Sequence, residues 1–271
     1  MKIFLDSADI EEIKTVNSWG ILDGVTTNPS LIKKASEKYK VKNFEDYIRK
    51  ILKVCKGRPV SLEVIGSDYD SMVMEGEILF KKFNSVAKNV YVKIPVNPCL
   101  EESCTKSSEG IQTISTLSKK KIPINTTLIF TPQQALLAAK AGAKFVSPFV
   151  GREDDYLREI NRIKFKKEDY FPARGFKKNK KILEDDGILS GVDLIKEISI
   201  IFKKNRIKTK ILAASIRNTK QLNEVMIAGA DIATIPFKVI QKLLNHLKTS
   251  EGMKKFTKDV VPEYARIFGN R

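Results

Sequence analysis

The sequence is poor in the residues that bind metals through nitrogen or sulfur. Its only histidine is His246. Its three cysteines, Cys55, Cys99 and Cys104, form neither a C-x-x-C pair nor a cysteine-histidine zinc pattern. A histidine-based metal centre would need ligands that the chain does not contain, so we expect no metal. An odd number of unpatterned cysteines is typical of reduced thiols, so we expect a cytoplasmic protein.

Long apolar runs are absent as well. No stretch approaches the roughly 18 apolar residues needed to cross a bilayer, so the sequence predicts neither a transmembrane helix nor a signal peptide. With 42% hydrophobic and 30% charged residues, the composition excludes disorder and collagen-like order. A chain of 271 residues suits one large α/β barrel or two average domains.

Positive charge is in excess, with 49 Lys and Arg against 32 Asp and Glu and a net charge of +17. Between Tyr156 and Ile182 there are ten basic residues and three acidic ones. Basic surfaces attract polyanions, but no RNA-binding or helix-turn-helix motif accompanies this one, so nucleic acid is not an expected partner. Two interpretations stay open: a surface segment whose charge is incidental, or one that attracts anionic substrates.

Short β-branched runs alternate with amphipathic helices along the chain. The predicted strands are 2–5, 24–27, 59–65, 90–94, 122–130, 144–148, 210–214 and 231–235. Eight strand-helix pairs are the number that closes a barrel. We therefore predict an α/β fold, a (β/α)8 TIM barrel forming one domain over residues 1–271. A basic insertion of about 157–183 follows strand six, and an additional C-terminal helix covers about 252–268. Lysine-rich turns are expected after Asn28-Pro29, and Thr131 is expected to cap a helix.

Polar side chains interrupt the apolar strands at or near their C-terminal ends. They are Asp6, Thr27, Asn28, Glu63, Lys93, Asn125, Thr127 and Ser147. Barrel enzymes place their chemistry at this end, and a buried charge without partners is costly. The sequence therefore predicts that these residues form a site.

Lys93 lies between Val92 and Ile94 in the fourth predicted strand. An ammonium group is not a nucleophile, so a catalytic lysine must lose its proton, which burial favours. A neutral amine that faces carboxylates, hydroxyls and carboxamides suits Schiff-base chemistry on a hydroxylated carbonyl compound. The alternative is a lysine whose amino group extends out of the barrel end.

Two arginine-containing loops follow strands six and seven. Ser147-Pro148-Phe149-Val150-Gly151-Arg152 leaves the first, and Ser215-Ile216-Arg217-Asn218 leaves the second just before a helix. Phosphate sites of barrels favour the loops after strands seven and eight, and guanidinium groups match phosphate oxygens. We predict that Arg152 and Arg217 bind phosphate; the alternative for either is an ordinary surface position.

Further motifs accompany these two loops. They are Asp23-Gly24-Val25-Thr26-Thr27-Asn28-Pro29-Ser30, Val92-Lys93-Ile94-Pro95, Asn125-Thr126-Thr127-Leu128, and Ala213-Ala214 ahead of Ser215. Together the five motifs resemble those of the transaldolases, particularly the short form that includes the fructose-6-phosphate aldolases. The resemblance runs in order from Met1 to about Ile240.

The resemblance implies transfer of a dihydroxyacetone unit from a ketose phosphate to an aldose phosphate in the pentose phosphate pathway, without metal or organic cofactor. The donors would be sedoheptulose 7-phosphate or fructose 6-phosphate. Lys93 would form the Schiff base, Asp6 would act as acid/base at the donor's C4 hydroxyl, and Glu63 with Thr127 would position the catalytic water. The implied substrate ligands are Thr27, Asn28, Asn125, Ser147 and Phe149, with Arg152, Ser215 and Arg217 on the phosphate. A homo-oligomer, decamer or pentamer, is expected, with the C-terminal helix laid over a neighbour.

Two residues distinguish this chain from the aldolases, which release free dihydroxyacetone. The aldolases resemble it but carry Gln at the position of Glu63 and Tyr at that of Phe149, so both residues favour a transaldolase. The chain departs from the short form in a longer loop at Pro98–Ser108 and in the insertion. A non-catalytic polyanion-binding barrel is the remaining alternative.

Overall fold

The computed structural model describes residues 1–101 and 103–269. Its strands are β1 Lys2–Asp6, β2 Gly24–Thr26, β3 Val60–Glu63, β4 Val90–Pro95, β5 Ile124–Ile129, β6 Phe145–Pro148, β7 Lys177–Lys178, β8 Lys181–Ile182, β9 Lys210–Ala213 and β10 Ile232–Ile235. Within these residues, eight parallel strands close a barrel in the order β1, β10, β9, β6, β5, β4, β3, β2, while β7 and β8 form a separate antiparallel hairpin. The predicted (β/α)8 barrel is confirmed.

Helices cover the outside of the barrel. They are α1 Ile10–Ser18, α2 Pro29–Tyr39, α3 Phe44–Val54, α4 Tyr69–Ala87, α5 Glu109–Lys119, α6 Pro132–Lys140, α7 Val150–Ile160, α8 Gly191–Lys204, α9 Thr219–Ala228, α10 Phe237–Leu243, α11 Leu247–Lys258 and α12 Pro262–Ala265, with a 3-10 turn at Arg266–Phe268. The predicted helix cap at Thr131 is confirmed, and Gln134 completes a capping box with it. The lysine-rich turns predicted after Asn28 are wrong, because Asn28 Oδ1 accepts a hydrogen bond from Leu31 N at 3.0 Å and Pro29 starts α2.

The lower part of the barrel interior is filled by aromatic rings. Tyr91 stacks on Phe145 with the ring centroids 4.8 Å apart, and Phe4 meets Phe145 edge to face at 5.9 Å. A Cβ atom at Gly24 would lie 2.5 Å from the Phe4 ring, so only glycine fits there. Because side chains alternate along a strand, the residues two positions further on point into the barrel above this apolar layer.

The predicted insertion has different bounds in the structure. Residues 157–160 complete α7, and the connecting segment then runs over 161–190 before α8 begins. The segment contains the β7–β8 hairpin and buries Phe171, Leu183 and Ile188. It is therefore packed against the barrel through its own apolar side chains.

The C-terminal helix is present, but its bounds also differ from the prediction. Helix α11 begins at Leu247 and ends at Lys258, and Pro262 starts the separate turn α12. Proline ends the longer predicted helix because it has no amide hydrogen to donate and its ring clashes with the preceding turn. Neither α11 nor α12 contains a buried residue. None of the helices in the described ranges is both long enough and apolar enough to span a membrane.

The prediction of three reduced thiols is wrong. Cys99 and Cys104 form a disulfide, and only the buried Cys55 is free among the described cysteines. The two bonded residues lie five positions apart in the loop after β4, with a Cα–Cα distance of 5.7 Å that permits a bond. The cysteine content therefore no longer argues for a reducing compartment.

Candidate active site

The strand register places Lys93 between two polar neighbours. Glu63 and Asn125 are its Cα partners on β3 and β5. The Lys93 side chain is 8% exposed, and its Nζ donates a hydrogen bond to Glu63 Oε2 at 2.9 Å. The amino group is thus held inside the barrel by a carboxylate and does not extend out of its end.

A hydrogen-bond chain orients the carboxamide of Asn125. Ser147 Oγ donates to Asn125 Oδ1 at 2.7 Å, and Asn125 Nδ2 donates to Ser61 Oγ at 3.0 Å. All three side chains are buried. Ser61 is absent from the predicted site, although it lies two residues before Glu63 and therefore on the same face of β3.

Asp6 lies at the end of β1, across the mouth from this chain. Thr26 Oγ1 donates to Asp6 Oδ1 at 2.7 Å, and the hydroxyls of Thr26 and Thr234 are 2.5 Å apart. Burial raises the pKa of Asp6 above its ordinary value, although the positive charges of Lys93 and Arg152 oppose the shift. A carboxyl group with a raised pKa is suited to both accepting and donating a proton near neutral pH.

The remaining predicted polar residues take different positions. Thr27 Oγ1 donates to the Ser61 carbonyl at 2.8 Å, and Asn28 caps α2. Thr127 is fully buried, and its hydroxyl has no hydrogen-bond partner in the part of the chain that is described. The next residue, Leu128, has a φ of +59°, and the register with β6 shifts there. The end of β5 is therefore a bulge that redirects the chain beside Thr127.

The predicted phosphate loops pack directly on each other. Gly151 N donates to the Ser215 carbonyl at 3.1 Å. A Cβ atom at Gly151 would lie 2.3 Å from that carbonyl and 2.5 Å from Arg217 Nε, so the close approach requires glycine. Ser215 adopts a φ of +62°, which turns the chain from β9 toward α9. The two motifs are thus parts of one structural unit.

The two arginines of this unit are held differently. Arg217 Nη2 lies 2.9 Å from Asp155 Oδ2, whereas Arg152 stacks its guanidinium over the Phe149 ring at 5.1 Å. No ion pair to Arg152 occurs among the described residues. Asp155 is absent from the predicted site because it lies 62 residues before Arg217, and no motif in the sequence links the two.

A cavity of about 720 Å³ joins the two sides of the mouth. Of the predicted site residues, it is lined by Asp6, Asn28, Lys93, Ser147, Phe149, Arg152, Ser215 and Arg217. Glu63, Asn125, Thr27 and Thr127 do not line it; the first two contact residues that do. The cavity wall also contains residues outside the predicted site: Thr26, Thr234, Lys34, Lys167, Lys238 and Lys242. Seven basic and two acidic side chains line the cavity, which favours anionic ligands.

Comparison with known proteins gives matches over nearly the whole chain. The profile of a family described as transaldolase/fructose-6-phosphate aldolase matches residues 3–267. A probable transaldolase of Thermoplasma acidophilum is 43% identical over 259 residues, covering 96% of this chain and 95% of the relative. Probable transaldolases of Aquifex aeolicus and Herpetosiphon aurantiacus are each 40% identical, over 97% and 99% of this chain and 99% of each relative. The matched residues include every residue that lines the cavity.

Proposed function

This chain belongs to the transaldolase/fructose-6-phosphate aldolase family, and from that premise we propose that it transfers a dihydroxyacetone unit between sugar phosphates through a Schiff base on Lys93. The observation that carries the proposal is the buried Lys93 amino group, which contacts Glu63 and lines a basic cavity with Asp6 at its wall. The donor is a ketose phosphate and the acceptor an aldose phosphate.

The reaction begins with attack of the neutral Lys93 amine on the ketose carbonyl carbon. Loss of water from the resulting carbinolamine gives a protonated imine. Glu63 is the carboxylate in contact with Lys93 Nζ, so it can receive the ammonium proton and orient the water. Thr127, whose hydroxyl has no partner among the described residues, is the second group assigned to that water.

Cleavage follows at the bond between C3 and C4 of the donor. Asp6 removes the proton of the C4 hydroxyl, the C3–C4 electron pair moves toward the imine to give an enamine, and the aldehyde leaves. The raised pKa of Asp6 fits a group that accepts this proton and returns it when the enamine attacks the acceptor aldehyde. Asn28, Asn125 and Ser147 are assigned to the hydroxyls of the three-carbon unit, and Thr27 acts through its contact with Ser61.

The residue facing Lys93 favours transfer over release of free dihydroxyacetone. The Phe149 ring centroid lies 5.9 Å from Lys93 Nζ. A phenyl ring has no hydroxyl group that could protonate the enamine, so the intermediate survives until an acceptor aldehyde arrives. A tyrosine at this position would supply such a proton donor.

An assay with fructose 6-phosphate, with and without erythrose 4-phosphate, tests the proposal. We expect a seven-carbon product only when the acceptor is present. Free dihydroxyacetone without acceptor would indicate an aldolase, and absence of both products would contradict catalysis. Phe149→Tyr is the matched variant: it adds one hydroxyl group and should increase dihydroxyacetone release.

The C-terminal segment supports a proposed homo-oligomer. Its apolar residues are strongly exposed in the single chain, with Leu247 at 71%, Phe256 at 68% and Ile267 at 72%. Several large apolar side chains exposed within one short segment are typical of an interface. We propose that residues 247–268 pack on a neighbouring copy, and light scattering should show a multiple of 30.6 kDa. A monomer at micromolar concentration would contradict this proposal.

A further inference from the structure

We propose that Lys167, from the insertion, is a third cationic ligand of the substrate phosphate, beside Arg152 and Arg217. The inference rests on the proposed function, because it assumes a phosphorylated substrate in the cavity. It assigns a binding role to a segment that lies outside the eight strands of the barrel.

The position of Lys167 in the cavity wall is the first observation. Lys167 lines the cavity that contains Lys93, and it also lines a second cavity of about 710 Å³ beside α7. Arg152 and Arg217 line both cavities as well. These three cations therefore lie where the two cavities meet, at the predicted phosphate position.

The insertion is anchored on both sides of Lys167. The buried Arg158 guanidinium lies 4.9 Å from the ring centroids of both Phe165 and Phe171, and its Nη2 donates to the Asp169 carbonyl at 2.9 Å. Cation-π contacts that are shielded from water are among the stronger ones. Residues 165–171 are thus fixed to α7 by the contacts of Arg158.

A second anchor joins the same stretch to α9. Tyr170 Oη donates to Glu224 Oε1 at 2.5 Å, and Lys220 Nζ lies 3.7 Å from the Tyr170 ring centroid. Asn218 Nδ2 donates to the Glu168 carbonyl at 3.4 Å. Because the backbone on both sides of Lys167 is held, its side chain stays near the mouth. Less conformational entropy is therefore lost when Lys167 binds a ligand.

Charge balance explains why a third cation is useful. Arg217 is paired with Asp155, which also lies 3.7 Å from Arg158 Nη1. A phosphate dianion bound to Arg217 therefore meets a nearby carboxylate. Lys167 has no ion-pair partner in the described ranges, so its charge is available to the ligand.

The neighbouring Lys166 provides a matched control. It carries the same charge one residue earlier and is also exposed, but it lines neither cavity. Lys166→Ala and Lys167→Ala therefore change the net charge and the long-range field almost equally. Only Lys167→Ala removes an amino group at the proposed phosphate position.

The test compares both variants with the wild type in two measurements. Calorimetry with inorganic phosphate reports binding without catalysis, and steady-state kinetics report KM for fructose 6-phosphate. We expect Lys167→Ala to weaken phosphate binding and raise KM by about tenfold, with kcat little changed. Lys166→Ala should change either value less than about twofold, and Lys167→Arg should restore most of the affinity.

Equal losses in Lys166→Ala and Lys167→Ala, or no loss in either, would overturn the proposal. The calorimetric comparison remains decisive if the chain forms no Schiff base. In that case the proposed reaction fails, but a selective loss of phosphate affinity in Lys167→Ala still supports the phosphate ligand.

Discussion

The two sides of the barrel mouth are built in different ways. On the lysine side, Glu63, Lys93 and Asn125 lie on neighbouring strands, and their positions follow from the parallel register. On the side of the proposed phosphate site, called the phosphate side below, Arg152 lies on α7 and Arg217 lies in the loop after β9. The first arrangement is fixed by the sheet, whereas the second depends on one close glycine contact, one ion pair and the packing of an insertion.

Two glutamates show the same contrast. Glu63 is paired with Lys93 at 2.9 Å. Glu153, next to Arg152 on α7, is fully buried, and neither of its carboxylate oxygens has a hydrogen-bond partner in the described part of the chain. On the lysine side, the Lys93 amino group and the Glu63 carboxylate are therefore paired with each other. On the phosphate side, the buried carboxyl group of Glu153 has no partner among the described residues.

The largest expected effect on the phosphate side comes from its arginines. Each charge-assisted hydrogen bond contributes about 1.5 to 3 kcal/mol. Arg152→Ala and Arg217→Ala should therefore raise KM for phosphorylated substrates by about 10- to 150-fold. Non-phosphorylated acceptors should be little affected.

Arg162→Ala, at an exposed position just after α7, is the control for the loss of one charge. Steady-state kinetics with matched phosphorylated and non-phosphorylated acceptors measure the difference. Equal losses for both acceptor types would show that the arginines support the structure instead of binding phosphate.

A second prediction concerns the unpaired acid. Burial, together with Asp185 and Asp154, raises the pKa of Glu153 from 4.5 to about 8. The folded protein therefore binds a proton that the unfolded chain has released, and its stability falls as the pH rises from about 4.5 to about 8. At about 1.4 kcal/mol per pKa unit, this one group lowers the free energy of unfolding by up to roughly 5 kcal/mol over that range.

Glu153→Gln should remove about half of the decline, because the pKa of Asp154, which burial raises from 3.8 to about 7, contributes a comparable part. Urea unfolding at pH 5, 7 and 9 measures how far the free energy of unfolding falls with pH. Glu159→Gln, on the exposed face of the same helix, should retain the wild-type decline. A Glu153→Gln protein that loses stability with pH as steeply as the wild type would refute the assignment.

The smallest expected effect concerns the exposed charge of the insertion. Lys177, Lys180 and Lys181 are exposed in or beside the β7–β8 hairpin and line neither cavity. Replacing all three by Gln keeps the buried anchors. Because exposed positive charge attracts anions over long range at low ionic strength, we expect kcat/KM for sugar phosphates to fall about two- to fivefold at low salt.

The difference should disappear at physiological ionic strength, where the screening length is about 8 Å. Steady-state kinetics of the wild type and the triple variant from 10 to 300 mM salt measure this difference in kcat/KM. An unchanged kcat/KM at low salt would leave the incidental-charge interpretation of the hairpin as the correct one.

The positions of the side chains on the lysine side are predictable from the sequence, because alternation along a strand is a local pattern. Glu63, Lys93 and Asn125 interrupt apolar runs at positions that a closed barrel turns inward. This pattern does not predict which of Thr26 and Thr27 contacts Asp6, because both are polar and they are adjacent. Only the pairing of β2 with β1 shows that Thr26 meets Asp6.

The phosphate side was less predictable because its contacts join distant parts of the chain. Helix α7 is rich in charged residues and shows no clear apolar periodicity, so the sequence does not single out Asp155. The ion pair with Arg217 spans 62 residues. The location of Lys167 depends on Arg158 lying between two aromatic rings, which no spacing in the sequence reveals.

Trapping of the covalent intermediate tests the central claim most directly. The protein is incubated with fructose 6-phosphate and borohydride, digested, and mapped by mass spectrometry, with Lys93→Met treated in parallel. We predict a reduced three-carbon adduct on Lys93 in the wild type and none in Lys93→Met. An adduct on a different lysine, or active enzyme without any adduct, would contradict the account.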